Sequence, residues 1–405
     1  MAGNGFGGAG LRAGTRGDEG MIHPKRRIAA PVLITGIVMV LAACAGEDNR
    51  QDTLRPHGPA AQKIDDLFIP ILMVAIVIGI LVVGATVYAA IRFRHREGRP
   101  DNPKQVHGHT ALEIGWTIVP ALILAVVAVP TVATIWDLAE RPKGPEVLKV
   151  NVTGQQWWWS FELPQQALVP QATKLKKGVP GTGPIVSANE LHIPVGTKVD
   201  VGLTSTDVVH SFWVPSLNGK MDVMPGRTNR LTLEASEPGV YLSACGEFCG
   251  LSHADMRFRV IAEPMSKWKA WVKQISGPPA QASDPKSTDP KAAKLGELLT
   301  TTYKCTNCHV FDDVRTAPYG PNLTHLASRE TFAGATYELN RKDLLRWVQD
   351  APSMIAMQSK DCRKPFKPGV ICVGMPSFTK DTPKGEKTMT PEDANTIVDF
   401  LLGEK

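Results

Sequence analysis

The amino-acid sequence predicts a multidomain membrane protein built from a two-helix transmembrane hairpin, an all-β sandwich and a mostly α-helical module. Three observations support this fold class. Two apolar runs, Leu67–Ile91 and Ile114–Trp136, are each long enough to cross a bilayer as a helix. Short Val- and Thr-rich runs broken by Gly and Pro follow, which is typical of an all-β domain. The last third contains stretches such as "RKDLLRWVQDAP", whose apolar residues have helical spacing.

The composition argues against a nucleic-acid-binding protein. The 45 basic and 39 acidic residues leave only a mild positive charge, and no stretch concentrates Lys and Arg beside aromatic residues. A chain of 405 residues has room for two or three ordinary domains. The cysteines are more informative than the charge. They are Cys44, Cys245, Cys249, Cys305, Cys308, Cys362 and Cys372.

Residues 1–43 are predicted to be a disordered, Gly-rich start followed by a lipoprotein-type signal peptide, with Met21 as an alternative first residue. Three basic residues precede the apolar stretch "IAAPVLITGIVMVLAAC", whose end is similar to a bacterial lipobox. This interpretation makes Cys44 the lipidated first residue of the mature chain. The alternative is an uncleaved anchor with a passive cysteine. Either segment directs the following chain out of the cytoplasm.

After an external linker over residues 44–66, residues 67–136 are predicted to form the transmembrane hairpin. Pro120 and Pro130 would interrupt a soluble helix but are tolerated in a membrane span. The short segment between the spans is basic, which places it in the cytoplasm and both flanks outside by the positive-inside rule. Its basic residues are Arg92, Arg94, Arg96, Arg99 and Lys104.

Residues 145–275 are predicted to form an antiparallel sandwich or barrel, because runs such as "VLKVNVTG" and "GVYLSAC" are short and alternating. A Pro- and Ser-rich flexible linker over residues 276–290 separates this domain from the last module, residues 291–405.

The segment "SACGEFCGLSHADM" is the strongest candidate for a metal site. Cys245 and Cys249 are four residues apart, so a tight loop can direct both sulfurs to one point, and His253 and Met256 add two soft ligands. Thiolate, thioether and imidazole ligands favour copper over hard cations. Four ligands on one loop suit two metal ions and call for a further imidazole, which His210 in "VVHSFWVP" supplies at the predicted end of a strand. The alternatives are a zinc clamp or a strained disulfide.

The motif C-x-E-x-C-x-x-x-H-x-x-M, the segment "VVHSFWVPSLNGKMDVMPGR" and the two-span hairpin closely resemble cytochrome c oxidase subunit II, over residues 65–272. The resemblance implies a cupredoxin-like sandwich with a dinuclear copper A centre bridged by Cys245 and Cys249. It also implies the remaining ligands, which are His210, His253, Met256 and the backbone carbonyl of Glu247.

The resemblance carries three further roles. The Glu247 carboxylate would help to bind a magnesium ion at the interface with the catalytic subunit. Trp157, in "GQQWWWSFE", would be the point where electrons enter from a cytochrome, with simple core packing as the alternative. Glu113, at the cytoplasmic end of the second span, would lie at the mouth of a proton-uptake channel; a solvated helix end explains it equally well. His192 is interpreted as a structural histidine.

The segment "CTNCH" is the C-x-x-C-H motif of covalent c-type haem attachment. Cys305 and Cys308 would bind the haem vinyl groups, and His309 would coordinate the iron. Met375 is favoured as the second axial ligand over Met354 and Met357, because the following proline forces it into an extended conformation.

The last module resembles a class I cytochrome c, which has the same arrangement of a Met ligand. The segment "YGPNLTHLASR" matches that family, and the match implies that the Pro321 carbonyl fixes the proximal imidazole. His325, in the same segment, is interpreted as a surface or helix-start residue. The simplest account of Cys362 and Cys372 is a disulfide near Met375, worth about 2–3 kcal/mol.

Together these resemblances imply the electron-accepting subunit of a haem-copper oxidase, in the bacterial plasma membrane with the copper and haem domains on the outer face. Electrons from cytochrome c or a quinol–cytochrome c reductase would reach haem c, then copper A. The partner subunit I, alongside subunit III, would reduce oxygen to water with proton translocation, so no catalytic residue is expected in this chain.

Three alternatives stay open. The first is a component of a nitric-oxide or nitrous-oxide reductase. The second is a copper carrier or assembly factor. The third is a subunit of a quinol oxidase, a class that keeps the sandwich but lacks the copper ligands.

Overall fold

The computed structural model describes most of the chain from Arg50 onwards. The described residues are 50–94, 98, 105, 107–164, 184–276, 288–311, 319–357, 374–379 and 388–403. The predicted lipidation site Cys44 and the predicted disulfide between Cys362 and Cys372 lie outside these residues.

Two long helices form the membrane hairpin. Helix α1 (Pro59–Arg92) and helix α2 (Thr110–Ala139) contain the two predicted spans, and both are long and apolar enough to cross a membrane. Their large apolar side chains are exposed along both helices, as expected of surfaces that face lipid. Lys63 forms an ion pair with the Asp137 carboxylate, so the start of α1 lies beside the end of α2.

The stretch before α1 is held against the sandwich. The backbone N–H of His57 donates to the carbonyl of Ser216 at 2.7 Å, and the N–H of Ser236 donates to the carbonyl of His57 at 2.8 Å. At Gly58, an added Cβ would lie 2.3 Å from the carbonyl oxygen of Glu234, so only glycine fits this approach. Residues 50–58, part of the segment predicted as a linker, therefore attach the hairpin to the sandwich.

The sandwich consists of three small sheets. Their strand orders are β3-β2-β1-β5-β8, β4-β11-β9 and β10-β6-β7. The strands are β1 (Leu148–Gln155), β2 (Trp158–Leu163), β3 (Ile185–Ala188), β4 (Glu190–Pro194), β5 (Val199–Ser205), β6 (His210–Trp213), β7 (Met221–Val223), β8 (Asn229–Leu233), β9 (Gly239–Leu242), β10 (Ala244–Cys245) and β11 (Arg259–Glu263).

The prediction of a purely antiparallel domain is wrong. Strand β1 pairs with β5 in parallel, and β4 pairs with β11 in parallel. These partners are far apart in sequence, so the chain has room to return to the same end of the sheet, and local alternation carries no signal of such pairings. The aromatic core lies between the sheets, where Phe258 stacks on Phe212 and contacts Trp159 and Phe161. Helix α3 (Met265–Ile275) closes the sandwich with the buried Trp268.

The C-terminal module is mainly helical in its described part. It contains α4 (Pro290–Glu297), which runs into one wider turn (Leu298–Thr302), then α5 (Arg341–Met354) and α6 (Pro391–Gly403). A short hairpin of β12 (Thr331–Phe332) and β13 (Tyr337–Glu338) lies before α5. The module has an apolar core of its own, which includes Leu299, Leu344, Val348, Ile397 and Phe400.

Candidate metal centre

Two neighbouring strands position the predicted copper ligands. Strand β10 pairs with β6 with Cys245 opposite Phe212, and the chain continues from β10 into the loop that carries Cys249, His253 and Met256. His210 is the first residue of β6, so the prediction that it ends a strand is wrong. Strand β5 stops at Ser205, and the short turn that follows lets the chain enter the next sheet at His210.

The predicted ligands surround a pair of cysteine sulfurs. The Sγ atoms of Cys245 and Cys249 are 3.8 Å apart, and Nδ1 of His210 lies 4.0 Å from the Cys245 sulfur. Nδ1 of His253 and Sδ of Met256 lie 3.6 and 3.7 Å from the Cys249 sulfur. The ligand atoms of His210, Cys245 and Cys249 lie within 4.8 Å of one another and all three residues are buried, which is a spacing suited to a bound metal ion.

Glu247 presents its backbone and its side chain in different directions. Its carbonyl oxygen lies 3.3 Å from the Cys245 sulfur, whereas its side chain is exposed. The neighbouring Phe248 and Leu251 are exposed at 76 and 59%. The metal loop, residues 245–256, therefore carries a surface of one carboxylate and two large apolar side chains.

Asp207 orients the His210 ring. Its carboxylate lies 2.9 Å from Nε2 of His210 and accepts the backbone N–H of Gln156 at 2.7 Å, so Nδ1 of the ring faces the sulfurs. Burial raises the pKa of Asp207, but the hydrogen bonds from His210, Gln156 and Val208 outweigh it and lower the pKa overall. An ionised carboxylate behind a metal-binding imidazole fixes the ring and increases its basicity.

The two thiols behave as a coupled pair. The hydrogen bond with Cys249 lowers the pKa of the Cys245 thiol, and the same bond together with burial raises the pKa of Cys249. The lowered pKa favours the thiolate form of Cys245, which is the form that binds metal ions. Both cysteines are free thiols, so the alternative of a disulfide does not describe this structure.

The turn between β1 and β2 contacts the metal loop. The indole Nε1–H of Trp157 and the side-chain amide of Gln156 both donate to the carbonyl of Cys249, at 3.0 and 2.6 Å. Gly250 has a φ of +117°, and an added Cβ would lie 3.1 Å from Trp157 and from Gln156. Trp157 is partly exposed while Trp158 and Trp159 are buried, so the half-exposed tryptophan is the one that contacts a predicted ligand.

A second candidate site lies in the C-terminal module. Cys305 and Cys308 are free thiols at a short turn, and burial raises the pKa of Cys305 to about 11. Nδ1 of His309 lies 2.8 Å from the Pro321 carbonyl, and burial lowers the pKa of this imidazole. An added Cβ at Gly320 would lie 2.6 Å from the His309 ring. Two free thiols beside a neutral imidazole whose Nδ1 is held by a carbonyl fit a c-type haem.

Met375 lies against the apolar core of this module, and its backbone N–H is 3.4 Å from Sδ of Met357. Met354 is in the last turn of α5, where its carbonyl accepts the Tyr337 hydroxyl at 3.1 Å. The three candidate methionines thus lie on two adjacent segments, and Met375 stays a prediction.

Glu113 is exposed in the first turn of α2, as predicted for a residue at a span end.

His192 is buried, with its ring stacked on Trp271 at 4.2 Å and Nδ1 3.0 Å from Glu263, which are the contacts of a structural histidine. His325 precedes a short helical turn, but the interpretation as a surface residue is wrong, because it is only 9% exposed. The sequence analysis did not identify Asp207 as a partner of His210, although an acidic residue three positions before a predicted ligand is a visible signal.

The fold and the site define a membrane-anchored cupredoxin-like protein whose thiolates and imidazoles are arranged to bind a soft metal. Residues 148–263 match the family "Cytochrome C oxidase subunit II, periplasmic domain", and residues 51–134 match "Cytochrome C oxidase subunit II, transmembrane domain". The chain belongs to the cytochrome c oxidase subunit II family and is a subunit of a haem-copper terminal oxidase. Membership implies a copper A site, and the His/Cys/Cys group lies within the matched domain.

Several individual proteins are similar to this chain. "Cytochrome c oxidase subunit 2" of Alkalihalophilus pseudofirmus is 36% identical over 322 residues, which cover 78% of this chain and 86% of the relative. "Quinol oxidase subunit 2" of Bacillus cereus is 32% identical over 278 residues, covering 67% of this chain and 84% of the relative. The periplasmic domain of oxidase subunit II (CoxB) of Bradyrhizobium japonicum is 29% identical, covering 33% of this chain and 95% of that one, with a TM-score of 0.26.

Proposed function

We propose that this chain is the electron-accepting subunit of a cytochrome c oxidase, which takes electrons through a covalently bound haem c and passes them through copper A to the catalytic subunit. One observation carries the proposal: two cysteine sulfurs lie 3.8 Å apart, with the His210 imidazole against Cys245 and the His253 imidazole against Cys249. The catalytic subunit would reduce oxygen to water and translocate protons.

The assignment of copper ligands follows the contacts. Cys245, Cys249, His210 and His253 would hold the copper ions, with Met256 and the Glu247 carbonyl as further ligands. When bound, the dinuclear centre supplies an electron shared between two copper ions. Asp207 holds the His210 ring and Trp157 holds the Cys249 carbonyl, so the chain keeps the ligands in one geometry while the charge of the centre changes.

The surroundings of the metal loop suggest where its partners bind. Trp157 is proposed as the point where electrons enter, because its indole is partly exposed and is hydrogen-bonded to a ligand residue. The exposed Glu247 carboxylate, flanked by Phe248 and Leu251, is proposed to face subunit I and help to bind magnesium. Glu113 is proposed to lie near a proton-uptake path in that subunit.

One observation supports haem c in the last module. Nδ1 of His309 lies against the Pro321 carbonyl beside the free thiols of Cys305 and Cys308, which would attach the haem while the imidazole binds its iron. Met375 is proposed as the second iron ligand.

Quinol oxidase subunits are the strongest alternative class, because several relatives bear that name. The cysteine and histidine set of this chain favours the copper-containing oxidases. The proposed topology places the basic segment after α1 in the cytoplasm and the sandwich outside the plasma membrane.

The test uses the purified membrane complex supplied with reduced cytochrome c. Wild type should consume oxygen and show a mixed-valence copper signal in electron paramagnetic resonance, and Cys245→Ser should lose both. His192→Gln alters a buried histidine away from the metal loop and should keep both. Retained oxygen uptake in Cys245→Ser would refute the proposal.

A further inference from the structure

The C-terminal module lies directly on the metal loop. The backbone N–H of Arg257 is shared between the Gly334 carbonyl at 3.2 Å and the Asp255 carbonyl of its own loop at 3.0 Å. The Thr336 hydroxyl donates to the same Asp255 carbonyl at 3.4 Å. The Ser252 hydroxyl donates to the Ala356 carbonyl. The loop residues in these contacts flank the two predicted ligands His253 and Met256, so the module touches the part of the sandwich that would hold the metal.

The hairpin fits closely at Gly334. This glycine has a φ of +67°, and an added Cβ would lie 2.3 Å from the Asp255 carbonyl oxygen. Real Cβ atoms do not approach a backbone oxygen so closely, so any other residue would push the hairpin away from the loop. A fit that tolerates only hydrogen at one point indicates a defined contact rather than a loose encounter.

A buried carboxylate joins the two parts at the other end of the contact. Glu190, the first residue of β4, is 1% exposed. Its carboxylate accepts the backbone N–H groups of Glu330 and Thr331, at 3.0 and 2.8 Å, and the Thr331 hydroxyl at 2.7 Å. Within the described part of the chain, each hydrogen-bond partner recorded for this carboxylate belongs to the module. A buried carboxylate without partners is strongly unfavourable, so the sandwich has this group in a buried position only when the module is present.

Charged groups surround this contact. At its rim, Arg259 of the sandwich pairs with Glu338 at 2.6 Å and with Glu330 at 3.6 Å. On the module side, burial lowers the pKa of Arg329 to about 10 while the Glu190 carboxylate raises it, so the guanidinium is cationic at neutral pH.

We propose that Glu190 acts as a latch that holds the C-terminal module in one fixed position on the metal loop. The flexible linker predicted over residues 276–290 would by itself allow many positions, and the latch selects one of them. The consequence for electron transfer, a permanent contact in place of repeated encounters, rests on the proposed function. The docking itself does not.

The test is amide hydrogen exchange of the full chain in the purified complex, with two variants read at opposite ends of the contact. Glu190→Ala should speed exchange at Arg257, whose N–H bonds to Gly334, by at least about tenfold, because hydrogen bonds to a buried charge are lost elsewhere in the same contact. Gly334→Ala should speed exchange at Glu330 and Thr331 by a similar factor. Glu338→Gln removes only an exposed ion pair and should change neither end.

Because each variant is read at the opposite end of the contact, the experiment distinguishes a latch that couples the two ends from hydrogen bonds that act only locally. If Glu190→Ala speeds exchange only at Glu330 and Thr331, and Gly334→Ala only at Arg257, the two ends are independent and the proposal is overturned. Unprotected amides at Glu330 and Thr331 in wild type would also overturn it. If Glu190→Ala fails to fold, Gly334→Ala alone still decides between these outcomes.

The result is independent of the proposed function. A chain that lacks covalent haem by its visible spectrum, yet shows coupled exchange at the two ends, would refute the haem proposal and support the latch. A chain that contains haem but shows independent exchange at the two ends of the contact would support the haem proposal and refute the latch.

Discussion

At the scale of single residues, Asp207 has a large effect on the metal site without being a ligand. Its carboxylate lies 2.9 Å from Nε2 of His210 and also accepts the N–H of Gln156, whose side chain binds the Cys249 carbonyl. One acidic residue thus links the imidazole on β6, the turn before β2 and the metal loop. Hydrogen-bond partners of metal-bound histidines set both the orientation and the basicity of the ring.

We therefore expect Asp207→Asn to weaken copper binding by roughly 10–100-fold, because the amide is neutral and holds the imidazole less firmly. Competition between the purified chain and a copper chelator measures the affinity. Asp222→Asn changes an exposed aspartate on β7 and serves as the matched control. Equal copper affinity of Asp207→Asn and wild type would contradict the role assigned to this carboxylate.

A substitution at Gly320 tests the candidate haem site in the C-terminal module. An added Cβ would lie 2.6 Å from the His309 ring, so Gly320→Ala should displace the imidazole and reduce covalent haem attachment. The haem absorbance per chain is the measurement. Gly403→Ala, with open space around the added carbon, should leave it unchanged. Normal haem content in Gly320→Ala would show that the ring does not need this position.

At the scale of elements, the aromatic core supports the strands that carry the site. Phe161 on β2 is fully buried and lies 5.4 Å, centroid to centroid, from Phe258, which follows the metal loop and also packs on Phe212 of β6. Removing this ring leaves a cavity between the strands that position His210 and the loop.

Phe161→Ala should lower the free energy of unfolding of the sandwich by about 3–5 kcal/mol. Denaturant unfolding followed by circular dichroism measures this change. Phe248→Ala removes an equally large ring that is 76% exposed, and its effect should be small. If both variants lower the free energy of unfolding by a similar amount, burial does not determine how much these two rings contribute to stability.

For the protein as a whole, the arrangement of the hairpin and the sandwich leads to a prediction about membrane topology. The sandwich follows α2 directly, and residues 50–58 contact it from the start of α1, so both outer ends of the hairpin lie beside the sandwich. If both helices span the membrane, we expect the segment between α1 and α2 on the opposite side.

In intact cells, a membrane-impermeant maleimide should label Lys149→Cys, at an exposed position of β1, and should not label His107→Cys until the cells are opened. The physical reason is the charge of the segment between the spans, which favours the cytoplasm. Wild-type labelling gives the background from the native cysteines. Labelling of His107→Cys in intact cells would contradict the predicted topology and place the segment between the spans outside the cell.

Features that depend on residue type and short spacing are predictable from the amino-acid sequence alone. Two apolar runs predict two spans, and helices α1 and α2 contain them. A loop with two cysteines, a histidine and a methionine predicts a soft-metal site with His210, 35 residues before Cys245, as a further ligand, and the structure brings His210, Cys245 and Cys249 together. The spans and the ligand loop are readable because they are local structures, governed by neighbouring residues.

The contacts between distant segments are known only from the folded chain. The parallel pairs β1–β5 and β4–β11, the burial of His325 and the contact of Glu190 with Thr331, 141 residues away, leave no local pattern in the sequence. A carboxylate at the start of a strand is usually solvated, and nothing near Glu190 indicates that another module covers it. The free energy of such contacts comes from groups brought together by the folded chain, so they become visible only once its path is known.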